Sequence, residues 1–430
     1  MIKNRKKRIL VFPCGSEIGL EVNRALSNDI HFEMYGASSL PDHGKFVFKN
    51  YIEGVPFVDE ENFIDEIESI CKKYNIDFIV PAHDSVVLKL AQNAEKLGAK
   101  IITSPVETCE IARSKKKTYE RLKNIVKCPR TYDISDKNID YPVFVKPDVG
   151  QGSKGAQKVN NDSELFYNYL KNKDIVICEY LPGEEYTVDC FTNRKGELLF
   201  AQGRKRGRIN NGISVNSTPV NNEKFYQIAE KINQNLKFTG MWFFQVKENN
   251  NGEFVLMEFA PRIAGTMGMY RGLGINFIQL ALYDAMNIDV EIVKNNFNIE
   301  IDRALFACFK TDIEYDYVYI DFDDTIFLEN IINTDVMKFL YQAKNQNKKI
   351  ILITKHTKNI SETLKQYHIP EDLFEKIIHL KKDDEKSNYI EYKKSIFIDD
   401  SYSERENVSK KTGIPVFGLD AIETLFEYKK

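Results

Sequence analysis

The sequence lacks the features that would tie it to a membrane, to nucleic acid or to an oxidising compartment. No apolar run reaches the ~18 residues that a membrane span needs, and no apolar segment follows the N-terminal charges as in a signal peptide. The formal net charge is only −3, so bulk charge gives no reason to expect nucleic acid or an anionic membrane as partner. Seven scattered cysteines without a CxxC pair argue against a disulfide framework or zinc site and favour a cytoplasmic protein.

What is present is a globular composition on a chain too long for one ordinary core. The 430 residues are 43% hydrophobic and 29% charged. Short apolar runs at residues 9–12, 78–81 and 100–103 alternate with helical stretches, which predicts a doubly wound parallel sheet. Glycines after the first run suggest a dinucleotide turn, but the third glycine of GxGxxG is missing. A plain α/β domain is the preferred interpretation.

The pattern of predicted strands and helices changes twice along the chain, and these changes predict three domains. From about residue 113 the segments become β-rich with glycine loops, and an acidic joint follows at residues 312–316. Regular alternation of strands and helices then resumes. We therefore expect domains at residues 1–112, 113–311 and 312–430, of class α/β for the first and last and α+β for the middle one.

A strand that ends in a lysine and runs into a glycine-rich turn predicts a phosphate site. Lys146 closes the strand, and Gly152, Ser153 and Gly155 lie in the turn before the next strand. Glycines let successive backbone N–H groups converge on one anion, and the lysine adds a positive charge. A β-hairpin with a floppy loop is the alternative.

A second segment, residues 177–189, suits an adenosine site. Glu179 ends a strand, a Pro-Gly turn follows, and Glu185 opens the next strand. Backbone groups of Tyr180 and Leu181 can pair with the edge of an adenine, and Glu185 can accept hydrogen bonds from ribose hydroxyls. Taken alone, a glutamate before a Pro-Gly turn is usually just a turn.

A third segment offers metal ligands. Gln245 lies on a predicted strand, and Glu258 lies on the next strand, four residues before Arg262. If these strands are adjacent and antiparallel, Gln245 and Glu258 lie side by side and present the oxygen ligands that Mg²⁺ prefers. Arg262 then lies where negative charge on a transferred phosphoryl group needs compensation.

In this order and spacing, the three segments resemble the ATP-grasp superfamily over residues 1–311. The resemblance is nearest to the carbamoyl-phosphate-synthetase-like and pyrrolysine-biosynthesis ligases. It implies ATP and Mg²⁺ (or Mn²⁺) as cofactors, a small-molecule carboxylate and an amine as substrates, and an acyl phosphate between them. Dimers are common among such proteins, so a homodimer is one expectation. The resemblance assigns Lys115 and Lys146 to the ATP phosphates, and Glu179 and Leu181 to the adenine. It assigns Glu185 to the ribose, and Gln245 and Glu258 to the metal.

The chain departs from the family pattern at two positions. Ser114 replaces the acid that usually precedes the lysine at Lys115, and Ala260 stands where a metal-binding asparagine is usual. A slow ligase, or a nucleotide-binding sensor without ligation, is therefore an alternative. Arg206 and Arg208 lie in a cationic stretch that suits the substrate carboxylate or acyl phosphate, with a solvated basic turn as the alternative.

The last domain carries carboxylates at the ends of apolar strands. Asp321 and Asp323 follow one strand, Thr354 ends another, and Asp399 with Asp400 follows a third. The carboxyl ends of parallel strands share one edge of the sheet, so these groups should meet there. The first aspartate can attack phosphorus and the second can act as general acid and base, while the carboxylates share a Mg²⁺.

This pattern resembles the haloacid dehalogenase superfamily over residues ~313 to 430. The resemblance makes Asp321 the nucleophile, Asp323 the acid/base and Thr354 the phosphate hydroxyl. It adds a lysine, for which Lys386 is preferred over its rivals Lys381 and Lys382. The metal ligands it implies are Asp321, Asp323, Asp399 and Asp400. Short connections predict a Rossmannoid domain without a large cap, acting on a phosphorylated small molecule. A docking or structural module is the alternative.

Overall fold

Two units make up the chain, which a computed structural model describes over residues 5–150, 152, 154–210 and 212–429. The N-terminal unit ends at Leu305, and the C-terminal unit runs from Phe306 to Lys429. The division falls before the acidic joint expected at residues 312–316. Ile313 and Tyr315 pack against the core of the C-terminal unit, so the joint belongs to that unit.

A five-stranded parallel sheet, the N-terminal sheet, opens the N-terminal unit. Its strands are β1 (Lys7–Phe12), β2 (Phe32–Ser38), β3 (Asn50–Glu53), β4 (Phe78–Pro81) and β5 (Lys100–Ile101). The accompanying helices are α1 (Glu17–Leu26), α2 (Gly44–Val47), α3 (Phe63–Tyr74), α4 (Asp84–Ala91), α5 (Ala94–Leu97) and α6 (Val106–Arg113). The order β3-β2-β1-β4-β5 confirms a doubly wound sheet, with its switch point between β1 and β4.

Local sequence signals explain where these helices begin and end. The side chain of Ser16 accepts a hydrogen bond from the backbone N of Gly19 and caps α1. Helix α3 ends at Asn75, which takes a left-handed φ of 50°. Ile67 and Ile70 of α3 face the sheet and belong to its buried core.

A four-stranded antiparallel sheet follows in the chain. Its elements are α7 (Lys115–Leu122), β6 (Thr131–Tyr132), β7 (Val143–Pro147), β8 (Gln157–Val159), α8 (Asp162–Lys171) and β9 (Ile175–Glu179). The strand order is β6-β9-β7-β8. The lysine-ended strand expected from the sequence is β7, and its glycine turn connects β7 to β8.

A six-stranded sheet completes the N-terminal unit. Its strands are β10 (Glu185–Thr192), β11 (Leu198–Asn210), β12 (Ile213–Val220), β13 (Gly240–Glu248), β14 (Phe254–Ala260) and β15 (Ile301–Asp302). The helices of this part are α9 (Glu223–Asn235), α10 (Gly268–Gly272) and α11 (Phe277–Ala285). The order is β14-β13-β10-β11-β12-β15. Gln245 pairs with Glu258 on antiparallel strands, which confirms the predicted register.

Polar contacts join the N-terminal sheet to the elements that follow it. Arg271 Nε lies 2.9 Å from Oε1 of Glu21, a carboxylate on α1 that is almost fully buried. Gln279 of α11 donates to Asp29 at 2.7 Å. These contacts join residues 1–112, predicted as one domain, to the part of the predicted domain 113–311 that precedes Phe306.

The C-terminal unit is a second parallel sheet with helices on both faces. Its strands are β16 (Tyr317–Ile320), β17 (Phe327–Leu328), β18 (Ile331–Ile332), β19 (Lys349–Thr354), β20 (Lys376–His379), β21 (Ser395–Ile398) and β22 (Val416–Phe417). Its helices are α12 (Thr334–Asn345), α13 (Ile360–Gln366) and α14 (Tyr402–Thr412), with 3₁₀ turns at Glu371–Leu373, Lys386–Tyr389 and Leu419–Leu425. The main order is β20-β19-β16-β21-β22, all parallel. Between β16 and α12 lies only the small hairpin β17–β18.

Among the described residues, no helix is both long enough and apolar enough to cross a membrane.

Candidate functional site

A cavity of about 280 Å³, here called the N-terminal cavity, opens at the switch point of the N-terminal sheet. Ser16 and Asp84, just beyond β1 and β4, line it on one side, and the six-stranded sheet lines it on the other. Six residues singled out from the sequence line this cavity: Lys115, Gly152, Arg206, Gln245, Glu258 and Arg262. Segments far apart in the chain therefore share one pocket.

A row of side chains crosses the six-stranded sheet along one wall of the cavity. Glu258 pairs with Gln245, Gln245 with Thr187, and Thr187 with Arg204, on β14, β13, β10 and β11. The acid and amide at one end supply oxygen donors that fit Mg²⁺. Ala260, two residues after Glu258, lines the cavity but offers no ligand atom. The donor set is therefore one side chain smaller than the family pattern.

The two lysines expected at ATP phosphates both lie beside β14 but have different surroundings. Lys115 Nζ is 3.9 Å from Oε2 of Glu258 and lines the cavity. Burial lowers the pKa of Lys115, with Glu258 partly opposing that shift. Lys146 Nζ instead donates to the hydroxyl of Tyr119 at 2.7 Å and to the carbonyl of Met257 at 3.4 Å. Lys146 is thus adjacent to the Glu258 backbone but does not line the cavity.

Asp148 supplies the acid that the sequence lacks at Ser114. The Ser114 hydroxyl donates to Asp148 Oδ2 at 2.8 Å, and the backbone N of Lys116 donates to Oδ1 at 2.7 Å. Ser114 also caps α7 by accepting from the backbone N of Lys117. A buried carboxylate therefore stabilises the start of the helix that carries Lys115.

The glycine turn adopts the conformation that glycine makes accessible. Gly152 and Gly155 have φ of 61° and 72°, in the left-handed region. Gly150 and Gly152 line the cavity. Ser153, assigned to the same turn, lies outside the described residues.

The residues expected around adenosine do not line the cavity in the described part of the chain. Glu179 accepts a hydrogen bond from the backbone N of Arg130 at 3.0 Å, and Leu181 is buried. The ring of Tyr180 lies 4.5 Å from Lys158 Nζ. Glu185 forms an ion pair with Arg206. The two carboxylates are engaged by neighbouring donors, which the sequence pattern does not show.

Arg262 lines the cavity with its charge already compensated. Its Nε and Nη2 contact the two carboxylate oxygens of Asp84 at 2.6 and 2.8 Å. Burial would raise the pKa of Asp84, but the Arg262 guanidinium outweighs it and lowers the pKa below its ordinary value. A phosphoryl group would therefore compete with Asp84 for this guanidinium.

Arg208, predicted with Arg206 as a substrate residue, is not beside Arg206 in the cavity wall. It lies outside the cavity, with its side chain 61% exposed and 2.8 Å from Asp302. Residues two apart on a strand normally share a face, but the pairing of β11 with β12 shifts register between Arg206 and Arg208. That bulge turns the second arginine to the surface.

Arg204, which lines the cavity, and its buried partner Asp189 are residues that the prediction did not select. Arg204 is 2% exposed and Asp189 fully buried, and Arg204 Nε lies 2.6 Å from Asp189 Oδ2. Burial raises the pKa of Asp189 despite the guanidinium beside it. Arg204 and Arg206 are two residues apart on one strand and therefore share a face, so the choice of Arg206 could have indicated Arg204 as well.

Three carboxylates meet at the carboxyl edge of the C-terminal sheet. Oxygens of Asp321, Asp399 and Asp400 lie within 4.8 Å of one another, a group here called the carboxylate cluster. Lys386 Nζ lies 2.7 Å from Asp321 and 2.6 Å from Asp399. The rival lysines, Lys381 and Lys382, are exposed. The oxygen donors of the cluster fit Mg²⁺.

The environment of Asp321 favours its protonated form. Burial, assisted by the charge of Asp399 and opposed by Lys386, raises the pKa of Asp321 to about 7. Burial likewise raises the pKa of Asp399. A cation beside these groups would favour their ionised forms.

The side chain of Asp323, predicted as a metal ligand, points to a histidine in this structure. It is not part of the carboxylate cluster, and its Oδ1 lies 2.8 Å from Nδ1 of His356. His356 also donates its backbone N–H to the hydroxyl of Thr354 at 3.1 Å. His356 follows Thr354 by two residues and was missed, because a histidine after a strand carries no specific pattern.

Comparisons with known proteins agree on the fold of the N-terminal unit. Residues 171–303 match the family model described as ATP-grasp in the biosynthetic pathway with Ter operon, and residues 48–103 match the PylC-like N-terminal domain. A solved biotin carboxylase domain dimer, from Hydrogenobacter thermophilus 2-oxoglutarate carboxylase with MgADP, ADP and bicarbonate, aligns with a TM-score of 0.58. That alignment has 15% identity and covers 68% of this chain and 72% of that chain. The chain carries an ATP-grasp fold.

Curated relatives of this ATP-grasp chain are distant in sequence. The carbamoyl phosphate synthase large chain of Thermoanaerobacter sp. (strain X514) is 24% identical over 55% of this chain and 24% of that protein. The tyramine–L-glutamate ligase of Methanocaldococcus jannaschii is 23% identical over 60% of this chain and 78% of that protein. The ATP-grasp chain thus spans about a quarter of the synthase large chains that it matches.

Proposed function

We propose that the N-terminal unit is an ATP-dependent ligase that joins a small-molecule carboxylate to an amine through an acyl phosphate. The observation that carries this proposal is the single cavity shared by Lys115, the glycine turn, Gln245 and Glu258. The name of the relative tyramine–L-glutamate ligase, an enzyme for an amine and an acid, supports the same class.

The proposed reaction has two steps. A carboxylate oxygen of the acid attacks the γ-phosphorus of ATP, the bond to the β-phosphate oxygen breaks, and ADP leaves. The amine nitrogen then attacks the acyl carbon, loses a proton, and expels inorganic phosphate as the amide forms. Both steps develop negative charge on phosphate oxygens, so positioning and electrostatic stabilisation are the main contributions of the protein.

The described residues divide this work. Lys115 donates to phosphate oxygens, and backbone N–H groups of the glycine turn bind the same anion. Arg262 becomes available to the transferred phosphoryl group when that group displaces Asp84. Mg²⁺, when bound with the nucleotide, neutralises phosphate charge, and Gln245 and Glu258 are the residues that would hold it.

A hydroxylamine trap tests the ligase proposal without knowledge of the amine. Purified protein, ATP, Mg²⁺ and hydroxylamine are incubated with a panel of amino acids and small acids, and ADP and hydroxamate are measured. We expect acid-dependent ADP with matching hydroxamate, lost in Glu258→Gln. The matched control is Glu253→Gln on the same hairpin, since Glu253 is exposed and paired with Lys127. Nucleotide binding without ADP formation from any acid would instead support a sensor.

We further propose that the C-terminal unit is a haloacid-dehalogenase-like phosphatase. The specific observation in favour is Lys386 between Asp321 and Asp399, with Asp400 beside them. In this proposal Asp321 attacks phosphorus, and the ester oxygen leaves with a proton from Asp323. Water then attacks the aspartyl phosphate, gives a proton to Asp323, and releases phosphate.

The carboxylate cluster would hold Mg²⁺, which supplies charge neutralisation at the phosphate. Hydrolysis of an aryl phosphate by the full chain tests the activity. We expect Asp321→Asn to abolish it and to leave ADP formation unchanged, while the exposed control Asp383→Asn affects neither. No hydrolysis by the wild-type protein would favour a docking or structural module.

A further inference from the structure

Two guanidinium nitrogens of cavity-lining residues are buried without a hydrogen-bond partner among the described residues: Nη1 of Arg204 and Nε of Arg206. Of the two arginines, Arg204 is the one held by a fully buried carboxylate. Asp189 accepts from Nε and Nη2 of Arg204 at 2.6 and 3.3 Å, whereas Nη1 is buried without a hydrogen-bond partner among the described residues. Buried donors are nearly always paired, so an orphan donor on a cavity wall indicates an acceptor supplied by a ligand.

The position of the Arg204 guanidinium is defined by the register of the sheet. Its partner Asp189 pairs with Phe243, and Phe243 pairs with Ala260, so these three form a second row across β10, β13 and β14. The guanidinium of Arg262 lies 5.1 Å from the ring of Phe243. The space over Phe243, beside the small side chain of Ala260, is therefore flanked by two arginines.

This second row is separate from the row that would hold the metal and phosphates. It lies two residues along the strands from Gln245 and Glu258, which corresponds to about 7 Å. A carboxylate reacting with phosphate near Glu258 therefore leaves the Arg204 donor open to a group a few bonds away. The start of α1, at Ser16 and Glu17, lines the same cavity, and a helix N-terminus favours negative charge.

We propose that the acid substrate carries a second carboxylate, and that this group accepts a hydrogen bond from Nη1 of Arg204. This inference rests on the proposed ligase function and narrows its substrate class to dicarboxylic acids and acidic amino acids. Asp189 is a positioning residue in this arrangement, because it fixes the guanidinium through Nε and Nη2 and leaves Nη1 for the substrate.

Matched acids test the inference in the hydroxylamine assay. Glutamate differs from 4-aminobutyrate only by its second carboxylate. Succinate differs from propionate in the same way. We expect wild-type kcat/KM to favour each dicarboxylate by about 10- to 100-fold, the range of one charge-assisted hydrogen bond. Arg204→Gln should raise KM for the dicarboxylates far more than KM for the matched monocarboxylates, so that the preference disappears.

Two further variants make the test independent of folding. Arg204→Gln leaves Asp189 buried without its partner, so the pair Asp189→Asn with Arg204→Gln provides a neutral alternative. Lys205→Gln is the control on β11, because Lys205 is exposed and pairs with Glu184. Thermal melting and ATP affinity report on the folded state of each variant.

The outcomes separate the inference from the proposed function. Hydroxamate formation without a dicarboxylate preference, or a preference that survives in folded Arg204→Gln protein, would overturn the inference and leave the ligase intact. An equal fall in kcat for both acids would place Arg204 at the reacting group and also overturn it. Absence of hydroxamate from every acid would remove the ligase proposal and the inference together.

Discussion

Ion pairs fix most of the charged side chains around the N-terminal cavity. Asp84 holds Arg262, and Asp189 holds Arg204, in both cases through two contacts. Such paired guanidinium groups have lost rotamer freedom before a ligand arrives, so a remaining N–H can bind at a lower entropic cost. The cavity is thus arranged in advance, and ligands must fit or displace existing pairs.

Asp84 should make the stability of the protein depend on acid pH. Arg262 lowers the pKa of Asp84 below the ordinary 3.8, so the stabilisation is present above that value and is lost as pH falls through the lowered pKa. Asp84→Asn should therefore unfold at lower urea concentration than wild type at pH 6 to 7. The difference should shrink once pH falls below about 4. Urea titrations across this range measure it, and a pH-independent difference would contradict the pairing.

The two arginines on either side of the β11 bulge should behave differently. Arg206→Gln removes a side chain that lines the cavity and pairs with Glu185, so we expect a higher KM for ATP or acid. Arg208→Gln removes an exposed pair and should change stability by less than about 0.5 kcal/mol, with unchanged kinetics. Steady-state ADP release measures both, and a kinetic defect in the second variant would reinstate Arg208 as a substrate residue.

At the scale of elements, helix α9 packs against the six-stranded sheet through a close approach. A Cβ on Gly203 of β11 would lie 2.2 Å from Cε2 of Phe225 on α9. Gly203→Ala should therefore destabilise the N-terminal unit by about 1 to 3 kcal/mol through overpacking. Urea unfolding measures this effect. Adding Phe225→Leu, which removes the clashing ring atoms, should recover part of the loss, and additive losses would argue against this contact.

The sheet edges are the elements that assemble both candidate sites. In the N-terminal sheet, the ends of β1 and β4 reach the cavity at Ser16 and Asp84. In the C-terminal sheet, β16, β19 and β21 are neighbours, and Asp321, Thr354 and Asp399 stand at their ends. Parallel pairing alone places such groups at one edge of a sheet, which is why strand order was enough to predict that Asp321, Thr354 and Asp399 lie near one another.

At the scale of the whole molecule, each unit has its own sheet, core and candidate ligand site. The two units should therefore unfold in separate calorimetric transitions with different ligand responses. Mg²⁺ alone should raise the transition of the C-terminal unit, and a non-hydrolysable ATP analogue should raise that of the N-terminal unit. At a hundredfold excess over Kd, each shift corresponds to about 2.7 kcal/mol.

Two variants assign these transitions. Asp400→Asn should cancel the response to Mg²⁺ alone and leave the response to nucleotide, because Asp400 belongs to the carboxylate cluster. Glu258→Gln should weaken the response of the N-terminal unit to nucleotide and leave the response of the C-terminal unit to Mg²⁺ unchanged. A single transition that both ligands shift together would contradict thermodynamic independence.

Short stretches of sequence were enough to predict several strands and the pairing of two neighbouring ones. The predicted strand at residues 78–81 coincides with β4, the strand expected before Asp321 is β16, and the pairing of Gln245 with Glu258 is as expected. These features follow from the spacing of apolar residues and from neighbouring strands, which are properties of short segments. The same reasoning identified both groups of candidate site residues.

The partners of the charged side chains depend on the folded chain and could not be predicted from the sequence. Arg262 and Asp84 are 178 positions apart, and no local pattern links them. The β11 bulge moved Arg208 out of the cavity, and Asp323 turned to His356 instead of the carboxylate cluster. Long side chains pair with whatever group the folded chain brings within reach, so their contacts depend on packing and not on periodicity.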